Sequence, residues 1–295
     1  MQIFANGLRL EVEDTGERDR PAVLLIAGMS MQLIVWPDDM VHQLHQAGFR
    51  VVRFDNRDIG LSQSMDEAPT PHLLWFMLQQ KLGLKPQTPY SVQDMTQDAL
   101  AVLDHLKIQQ AHLVGVSMGG MIAQRLCLTA PERVLSLTNI MSSSGAKGLP
   151  GPRPAMRRIL MTPPASGTDA ARQHGLRFVK ALAGPGFEHP EGSQQKLVDD
   201  SNKRSVRPMG AYRQMLAVMA DRDRAAMLHN IHVPTLVMHG KADPLLPYAC
   251  GEDIAKRIPN AKLMGIDGMG HDFPPGAVSL MMNRLLPFLN AHTPA

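Results

Sequence analysis

The sequence has few of the features expected of a secreted or membrane-embedded protein. Cys127 and Cys250 are its two cysteines, which are too few for a disulfide framework and form no CxxC metal pattern. No apolar run approaches about 18 residues. The first residues alternate and carry charge, unlike the continuous apolar stretch of a signal peptide. These absences predict a cytoplasmic protein of a reducing compartment, without stable membrane insertion.

Basic charge is present in the sequence but is not concentrated in runs. The formal net charge is +3, and no run of five or more Lys or Arg occurs, so nucleic-acid binding is not predicted. Residues 144–226 hold fourteen Lys or Arg against seven Asp or Glu, for which a solvated face is a better interpretation than anion binding. The acidic residues of 38–58 lack a His or Cys at ligand spacing, so no metal is predicted. A small molecule is the expected partner, and the oligomeric state is left open.

Strand and helix patterns alternate along most of the chain. Asn6-Gly7 predicts a hairpin turn near the N-terminus. Buried strands are predicted at 22–27, 50–54, 111–116, 134–141, 235–239 and 262–266. Helical patterns fall at 36–46, 91–106, 119–129 and 278–290. This order predicts an α/β protein with a mostly parallel sheet flanked by helices, in a single catalytic domain.

The pattern changes between residues 142 and 228. The stretches KGLPGPRP and LAGPGFEHPEGS break up helical patterns at 155–160, 170–182, 194–203 and 210–220. This composition predicts a helical insertion on the sheet. The expected organisation is therefore a core of residues 1–141 and 229–295 with an inserted helical segment of residues 142–228.

Ser117 lies between an apolar strand pattern and a helix pattern in HLVGVSMGGMIAQRL. The residues 115–119 read G-x-S-x-G, which in this context predicts a nucleophile elbow. The turn holds the serine in a cramped backbone conformation, so the residues two positions away must be nearly free of side chains. The free N–H groups at the start of the helix favour the negative charge that acyl transfer generates.

A serine nucleophile needs a base and an acid that orients it. His271 follows the last predicted strand on a glycine-rich loop, and Asp243 follows the strand before it. The order Ser117, Asp243, His271 is the one expected for a nucleophile elbow of this architecture. Asp267 and Asp272 are too close to His271 in sequence to be its obvious partner. The loop after the strand that ends near residue 141 offers serines instead of a carboxylate, so Asp243 is predicted as the acid.

Five segments in a fixed order carry a resemblance to a known family. They are AGMSMQLIVWP, RFDNRDIGLS, GVSMGGMIAQ, VPTLVMHGKADPLLP and GMGHDFP. With them the sequence resembles the α/β-hydrolase superfamily, and through RFDNRDIGLS and Trp36-Pro37 the branch of aclacinomycin methylesterase and related carboxylesterases. The resemblance implies about eight strands, a helical cap formed by the insertion, and ester hydrolysis without a cofactor.

The oxyanion hole that the resemblance implies departs from the commoner pattern. Many relatives carry His-Gly after the third strand, whereas Ala27-Gly28-Met29 stands here. The implied donors are the backbone N–H groups of Met29 and Met118, for which loop geometry matters more than side-chain identity. The loop that begins at Asp55, DNRDIGLS, supplies no nucleophile, and its charged residues predict a structural role through charge-assisted hydrogen bonds.

The substrate is the least determined feature. Methionines near the expected site and in the insertion would suit a pliable apolar pocket, although core filling is the more common use of methionine. The apolar segment 72–78 could form a second lid or pack against the cap. The resulting hypothesis is a serine carboxylesterase acting on an uncharged, fairly hydrophobic ester. Carbon–carbon bond hydrolases, thioesterases, lactonases and non-catalytic binding proteins of this fold stay open as alternatives. A serine at the elbow disfavours dehalogenases and epoxide hydrolases, which need an aspartate there.

Overall fold

The computed structural model describes residues 1–84, 86–162 and 168–294, and its strands form one eight-stranded sheet. The strands are β1 (Gln2–Ala5), β2 (Leu8–Asp14), β3 (Ala22–Ile26), β4 (Arg50–Phe54), β5 (Ala111–Val116), β6 (Val134–Ile140), β7 (Thr235–Gly240) and β8 (Lys262–Ile266). Their order is β1-β2-β4-β3-β5-β6-β7-β8. Strand β2 pairs antiparallel with both β1 and β4. The remaining strands, β4-β3-β5-β6-β7-β8 in sheet order, run parallel to one another. The expected mostly parallel sheet of about eight strands is confirmed.

The central strands are apolar because both faces of the sheet are covered. Every residue of β3, β5 and β7 is buried, as expected of parallel strands between two helical layers. The apolar residues on the two faces form separate clusters, one containing Leu24 and Leu113 and the other containing Val23 and Val114. Pairing of Ile26 with Gly115 aligns the carboxyl ends of β3 and β5 at the same edge.

Eleven α-helices occur among the described residues. They are α1 (Asp38–Gln46), α2 (Leu73–Lys81), α3 (Val92–His105), α4 (Met118–Thr129), α5 (Pro154–Met161), α6 (Thr168–Leu182), α7 (Ser193–Arg204), α8 (Pro208–Ala220), α9 (Arg224–Met227), α10 (Ala249–Arg257) and α11 (Pro275–Asn290). None of these helices combines the length and the apolar character that a membrane crossing requires.

Helices α5 to α9 lie between β6 and β7, within residues 142–228, which are called the cap segment below. Two backbone hydrogen bonds at and just after the end of α6 join the cap segment to the core. The backbone N–H of His271 donates to Leu182 O (2.8 Å), and that of Gly186 donates to Gly268 O (2.9 Å). The cap segment therefore touches the loop that carries His271. Its treatment as a separate domain stays a prediction.

Candidate active site

Ser117 occupies the sharp turn between β5 and α4. Its backbone is left-handed, with φ 55° and ψ −120°, a conformation that costs a non-glycine residue on the order of 1–3 kcal/mol. A Cβ on Gly115 would lie 2.4 Å from Gly119 O, and one on Gly119 would lie 1.9 Å from Ile26 O. Both glycines are therefore required by the close approach of β3, β5 and α4.

The strained turn is held from both sides by hydrogen bonds. The Ser117 N–H donates to Ile140 O at the end of β6 (2.9 Å), and Ser142 Oγ donates to Ser117 O (2.7 Å). Ser142 stands in the loop where other proteins of this architecture could place the acid. Here its hydroxyl fixes the backbone of the turn instead.

His271 and Asp243 form a buried pair on neighbouring loops, after β8 and β7. His271 Nδ1 lies 2.7 Å from Asp243 Oδ2, and both side chains are almost completely inaccessible. The backbone N–H groups of Leu245 and Leu246 donate to the other carboxylate oxygen, each at 2.8 Å. The structure thus brings together the two residues that the sequence predicts as base and acid.

The Asp243 carboxylate is held in its charged form. Burial raises its pKa, but the charge of His271 and the hydrogen bonds from His239 and His271 outweigh burial, so the pKa of Asp243 lies well below its usual range. His239, at the end of β7, was not predicted as part of the site. Its Nε2 lies 3.4 Å from Asp243 Oδ2 and 2.7 Å from Leu246 O. His239 precedes Asp243 by four residues across a tight turn, and this spacing is the sequence signal that could have indicated the contact.

Asp272 pairs with a different histidine. Its Oδ2 lies 2.7 Å from Nε2 of His189, a residue of the cap segment, and burial raises the pKa of Asp272. Asp267 instead forms an ion pair with Lys241 at 3.0 Å. Neither of these two alternative acids is therefore the hydrogen-bond partner of His271.

No hydrogen bond joins the Ser117 hydroxyl to His271 in this structure. His271 Nε2 is buried and has no hydrogen-bond partner among the described residues. Hydrogen bonds between nucleophile and base are commonly longer or poorly aligned in a free enzyme and tighten with substrate. The nitrogen opposite the Asp243 contact is therefore available for the proton of a nucleophile.

The loop after β3 passes directly over Ser117. A Cβ on Gly28 would begin 3.1 Å from Ser117 Cβ, which places the following residue, Met29, next to the turn. Among the described residues, the Met29 N–H donates to no acceptor, and Met118 opens α4, where backbone N–H groups have no intrahelical partner. Gln214 of α8 accepts from the Ser30 N–H at 2.9 Å and steadies the loop. Both N–H groups therefore lie near the turn of Ser117 without an acceptor among the described residues, and their role as an oxyanion hole stays a prediction.

A cavity of about 700 Å³ opens above this constellation, between the core and the cap segment. Its walls are mainly apolar, and His271 and Val116, which precedes Ser117, lie on its surface. Apolar lining residues include Met31, Trp36, Met141, Phe178, Leu182, Leu197 and Phe273. Among the methionines near the site and in the cap segment, Met31 and Met141 line the cavity, whereas Met118, Met121 and Met156 are buried core residues, the more common use of methionine. The cavity therefore suits an apolar ligand, although methionine contributes only part of its lining.

Comparisons with known proteins agree with this architecture. The family model described as the alpha/beta hydrolase fold matches residues 21–274. The chain belongs to the alpha/beta hydrolase fold family. It is similar to rhodomycin D methylesterase DauP from Streptomyces sp. (strain C5), with 30% identity over 283 residues, covering 89% of this chain and 88% of the relative. A poly(3-hydroxyalkanoate) depolymerase from Ectopseudomonas oleovorans is 34% identical over 189 residues, 64% of each chain.

A solved structure of an alpha/beta hydrolase gives the same fold at low identity. A meta-cleavage product hydrolase from Pseudomonas fluorescens superposes with a TM-score of 0.75 at 17% identity, covering 99% of this chain and 98% of the other. This likeness supports the fold alone.

Buried ion pairs attach the cap segment of this alpha/beta hydrolase to the loop after β4. Arg213 contacts Asp58 through Nε (2.6 Å) and Nη2 (2.7 Å), and Arg204 Nη2 lies 3.0 Å from Asp55 Oδ2. Arg57 pairs with Asp98 of α3 at 2.6 Å. The charged residues of this loop are structural, as the sequence predicted, but their partners lie in the cap segment and α3. No group of three or more metal-ligating side chains is found within the described ranges.

Proposed function

We propose that this alpha/beta hydrolase is a serine carboxylesterase that cleaves an uncharged, fairly hydrophobic ester. The observations that carry the proposal are the strained, positive-φ Ser117 at the strand–helix turn, the buried His271–Asp243 pair, and an apolar cavity that Val116 and His271 line. Ester hydrolysis is the coarser part of the proposal. The family and its methylesterase and depolymerase relatives establish that part.

The proposed reaction uses an acyl-enzyme. His271 Nε2 takes the proton of Ser117 Oγ as that oxygen attacks the ester carbonyl, and the N–H groups of Met29 and Met118 stabilise the oxyanion. The alcohol leaves with the proton that His271 returns. Water, deprotonated by His271, then attacks the acyl-enzyme and releases the acid and Ser117.

Asp243 acts in this scheme through His271. Its contact at Nδ1 leaves Nε2 as the nitrogen free to take a proton, and its negative charge stabilises the imidazolium that forms in each half-reaction. The low pKa of Asp243 keeps its carboxylate charged beside His271. Two backbone N–H groups on its other oxygen hold it in place.

The lining of the cavity supports an uncharged, apolar substrate. Its interior carries aromatic and aliphatic side chains. The acidic residues on its wall already have partners, because Asp200 pairs with Lys196, Asp272 with His189 and Asp38 with Arg53. Burying a charged ester there would cost its hydration without a compensating partner.

The test compares p-nitrophenyl esters from acetate to dodecanoate, with Ser117→Ala and the matched control Ser279→Ala at an exposed serine of α11. We expect cleavage by the wild type and Ser279→Ala, loss in Ser117→Ala, and a kcat/KM that rises with acyl length before the cavity is filled. Equal cleavage by Ser117→Ala would contradict the nucleophile. A kcat/KM independent of chain length would contradict the apolar preference. No cleavage at all would favour carbon–carbon, lactone or thioester chemistry, or a binding role.

A further inference from the structure

Helix α2 carries a large apolar surface that no part of the described chain covers. The first six residues of its run LLWFMLQQK are all apolar, yet only Phe76 is buried. Leu74 and Trp75 are 71% and 57% exposed, and Met77 and Leu78 are about half exposed. Leu82 and Leu84, in the turn that follows, are exposed as well. A helix that is apolar all round is normally buried, so this exposure needs a partner.

The helix is attached to the cap segment by its other side. Gln80 Nε2 donates to Met219 O in α8 (2.8 Å), and Tyr212 Oη donates to Pro71 O just before α2 (2.9 Å). No residue of α2 lies on the wall of the cavity above Ser117. The helix is therefore not a lid over the site. Its exposed face is directed away from the protein.

The charged residues in the sequence segment that contains α2 have one sign. The sequence from residue 68 to residue 93 contains Lys81 and Lys85 but no Asp or Glu. Lys81 follows Met77 by four residues and Leu78 by three, so it borders the apolar face. Arg222 of the cap segment reaches the same helix through Gln80 Oε1. Two copies packed through α2 would bring these cations together with no acidic residue from the segment to compensate them.

We propose that α2 and the following turn to Leu84 form a docking surface for an anionic lipid bilayer. Exposed leucines and a tryptophan flanked by lysine have the composition of helices that lie in the bilayer interface, where tryptophan favours the headgroup level and lysine the anionic phosphates. The polar side of an ordinary interfacial helix faces water. In α2 the corresponding side contacts α8 instead. The proposal does not depend on the catalytic proposal, because adsorption needs no turnover.

Intrinsic fluorescence makes the test selective, because the chain has two tryptophans and only one lies on this surface. Trp36 is 1% exposed, whereas Trp75 is 57% exposed, so lipid contact shifts the emission of Trp75. The full chain is mixed with vesicles of phosphatidylcholine alone or with about one third phosphatidylglycerol. We expect co-sedimentation and a blue shift with the anionic vesicles, both weakened as ionic strength rises from about 0.05 M to about 0.5 M.

Leu74→Glu/Leu78→Glu is expected to weaken vesicle binding by on the order of tenfold or more. The matched control is Leu263→Glu/Leu280→Glu, which makes the same composition change at exposed leucines of β8 and α11 and is expected to bind as the wild type does. All variants should hydrolyse a short soluble ester at the wild-type rate, which verifies folding separately from binding. Absence of binding, equal binding to phosphatidylcholine alone, or equal loss in both double variants would overturn the proposal. So would a lipid-free dimer that only Leu74→Glu/Leu78→Glu dissociates.

Discussion

His271 and His112 are buried to a similar degree at opposite ends of the same parallel sheet. His271 lies at the carboxyl end, against the Asp243 carboxylate. His112 is the second residue of β5, at the amino end, and its ring nitrogens contact the hydroxyls of Ser136 (2.8 Å) and Thr293 (3.0 Å). Burial, together with repulsion from His292, lowers the pKa of His112 to about 4. Burial and a neighbouring positive charge thus disfavour the charged form of His112, whereas the contact of His271 with a charged carboxylate beside a cavity fits the proton transfer proposed for it.

Arginine–aspartate pairs at the two ends of the sheet also differ in what they join. Arg50 opens β4 at the amino end and binds Asp14 through Nη2 at 2.6 Å, while Arg213 binds Asp58 at the carboxyl end. The first pair joins two adjacent strands, and the second joins the cap segment to the core. In parallel α/β sheets, ligands bind beyond the carboxyl ends of the strands. The same pair of residue types thus joins neighbouring strands at one end and attaches the cap segment at the other.

The most direct test of this comparison is to replace the buried histidine with asparagine at each end of the sheet. His271→Asn should lower kcat by on the order of 10⁴-fold or more, because no base remains for Ser117. His112→Asn should leave kcat near the wild-type value at temperatures where it is folded, since His112 contacts two hydroxyls and the ring of Phe49 at the end of the sheet opposite His271. Initial rates on one p-nitrophenyl ester, with circular dichroism as the folding control, measure both. Equal losses would show that the two ends are coupled.

The carboxylates that accompany histidine at the carboxyl end should also differ. Asp243→Asn is expected to lower kcat by about 10³- to 10⁴-fold, because an amide can hold His271 in the wrong tautomer. Asp272→Asn, beside His189, should cost less than about tenfold, since Asp272 makes no hydrogen bond to His271. The pH dependence of kcat/KM for both variants is the measurement. A larger effect at Asp272 would reassign the acid.

Removing either buried arginine should destabilise the fold. Arg213→Met leaves the buried Asp58 carboxylate without its arginine and is expected to lower the free energy of unfolding by about 3 kcal/mol or more. Arg50→Met is expected to cost less, because the Asp14 carboxylate that it leaves is only partly buried. Only Arg213→Met should also raise KM for long-chain esters, because it loosens the cap segment. Urea unfolding and a chain-length series test the pair. An unchanged KM in Arg213→Met would separate the ion pair from the cavity.

Mild acid should act on His112 before it acts on Asp243. Between about pH 6.5 and about pH 4 the unfolded chain binds a proton at residue 112 that the native state does not, so stability falls as the pH falls. The loss amounts to at most about 3 kcal/mol. The difference in urea-unfolding free energy between the wild type and His112→Asn should therefore shrink across this window. A difference that stays constant with pH would mean that His112 titrates normally.

The strands were predictable because their signal is local. A strand buried on both faces gives a continuous apolar run, so residues 50–54 were predicted with the bounds that the structure has, and residues 22–27 differ by one residue from β3. The first helix was predicted to start at residue 36 and begins at Asp38, after Pro37 at its N-cap. Helix α10 was not predicted from its short pattern. For residues 72–78, the structure favours packing against the cap segment over a lid.

The candidate site likewise has residues that the sequence predicts and contacts that it does not. Ser117, Asp243 and His271 each follow a strand, so strand order alone indicated that they meet, although their roles stay predictions. The partners of Asp55 and Asp58 were not predictable, because Arg204 and Arg213 lie 149 and 155 residues away and nothing in a single sequence links them. The same applies to His189, whose partner is set by the path of the cap segment.

The backbone bonds from Leu182 to His271 and from Gly186 to Gly268 also bear on protein engineering. A chimera that exchanges the helical insertion for that of a relative would replace the carbonyl that holds the N–H of His271. Substrate range and turnover would then change together in every such exchange. If residues 182–186 are kept from the recipient core, the pocket can be altered while the loop of His271 stays in place.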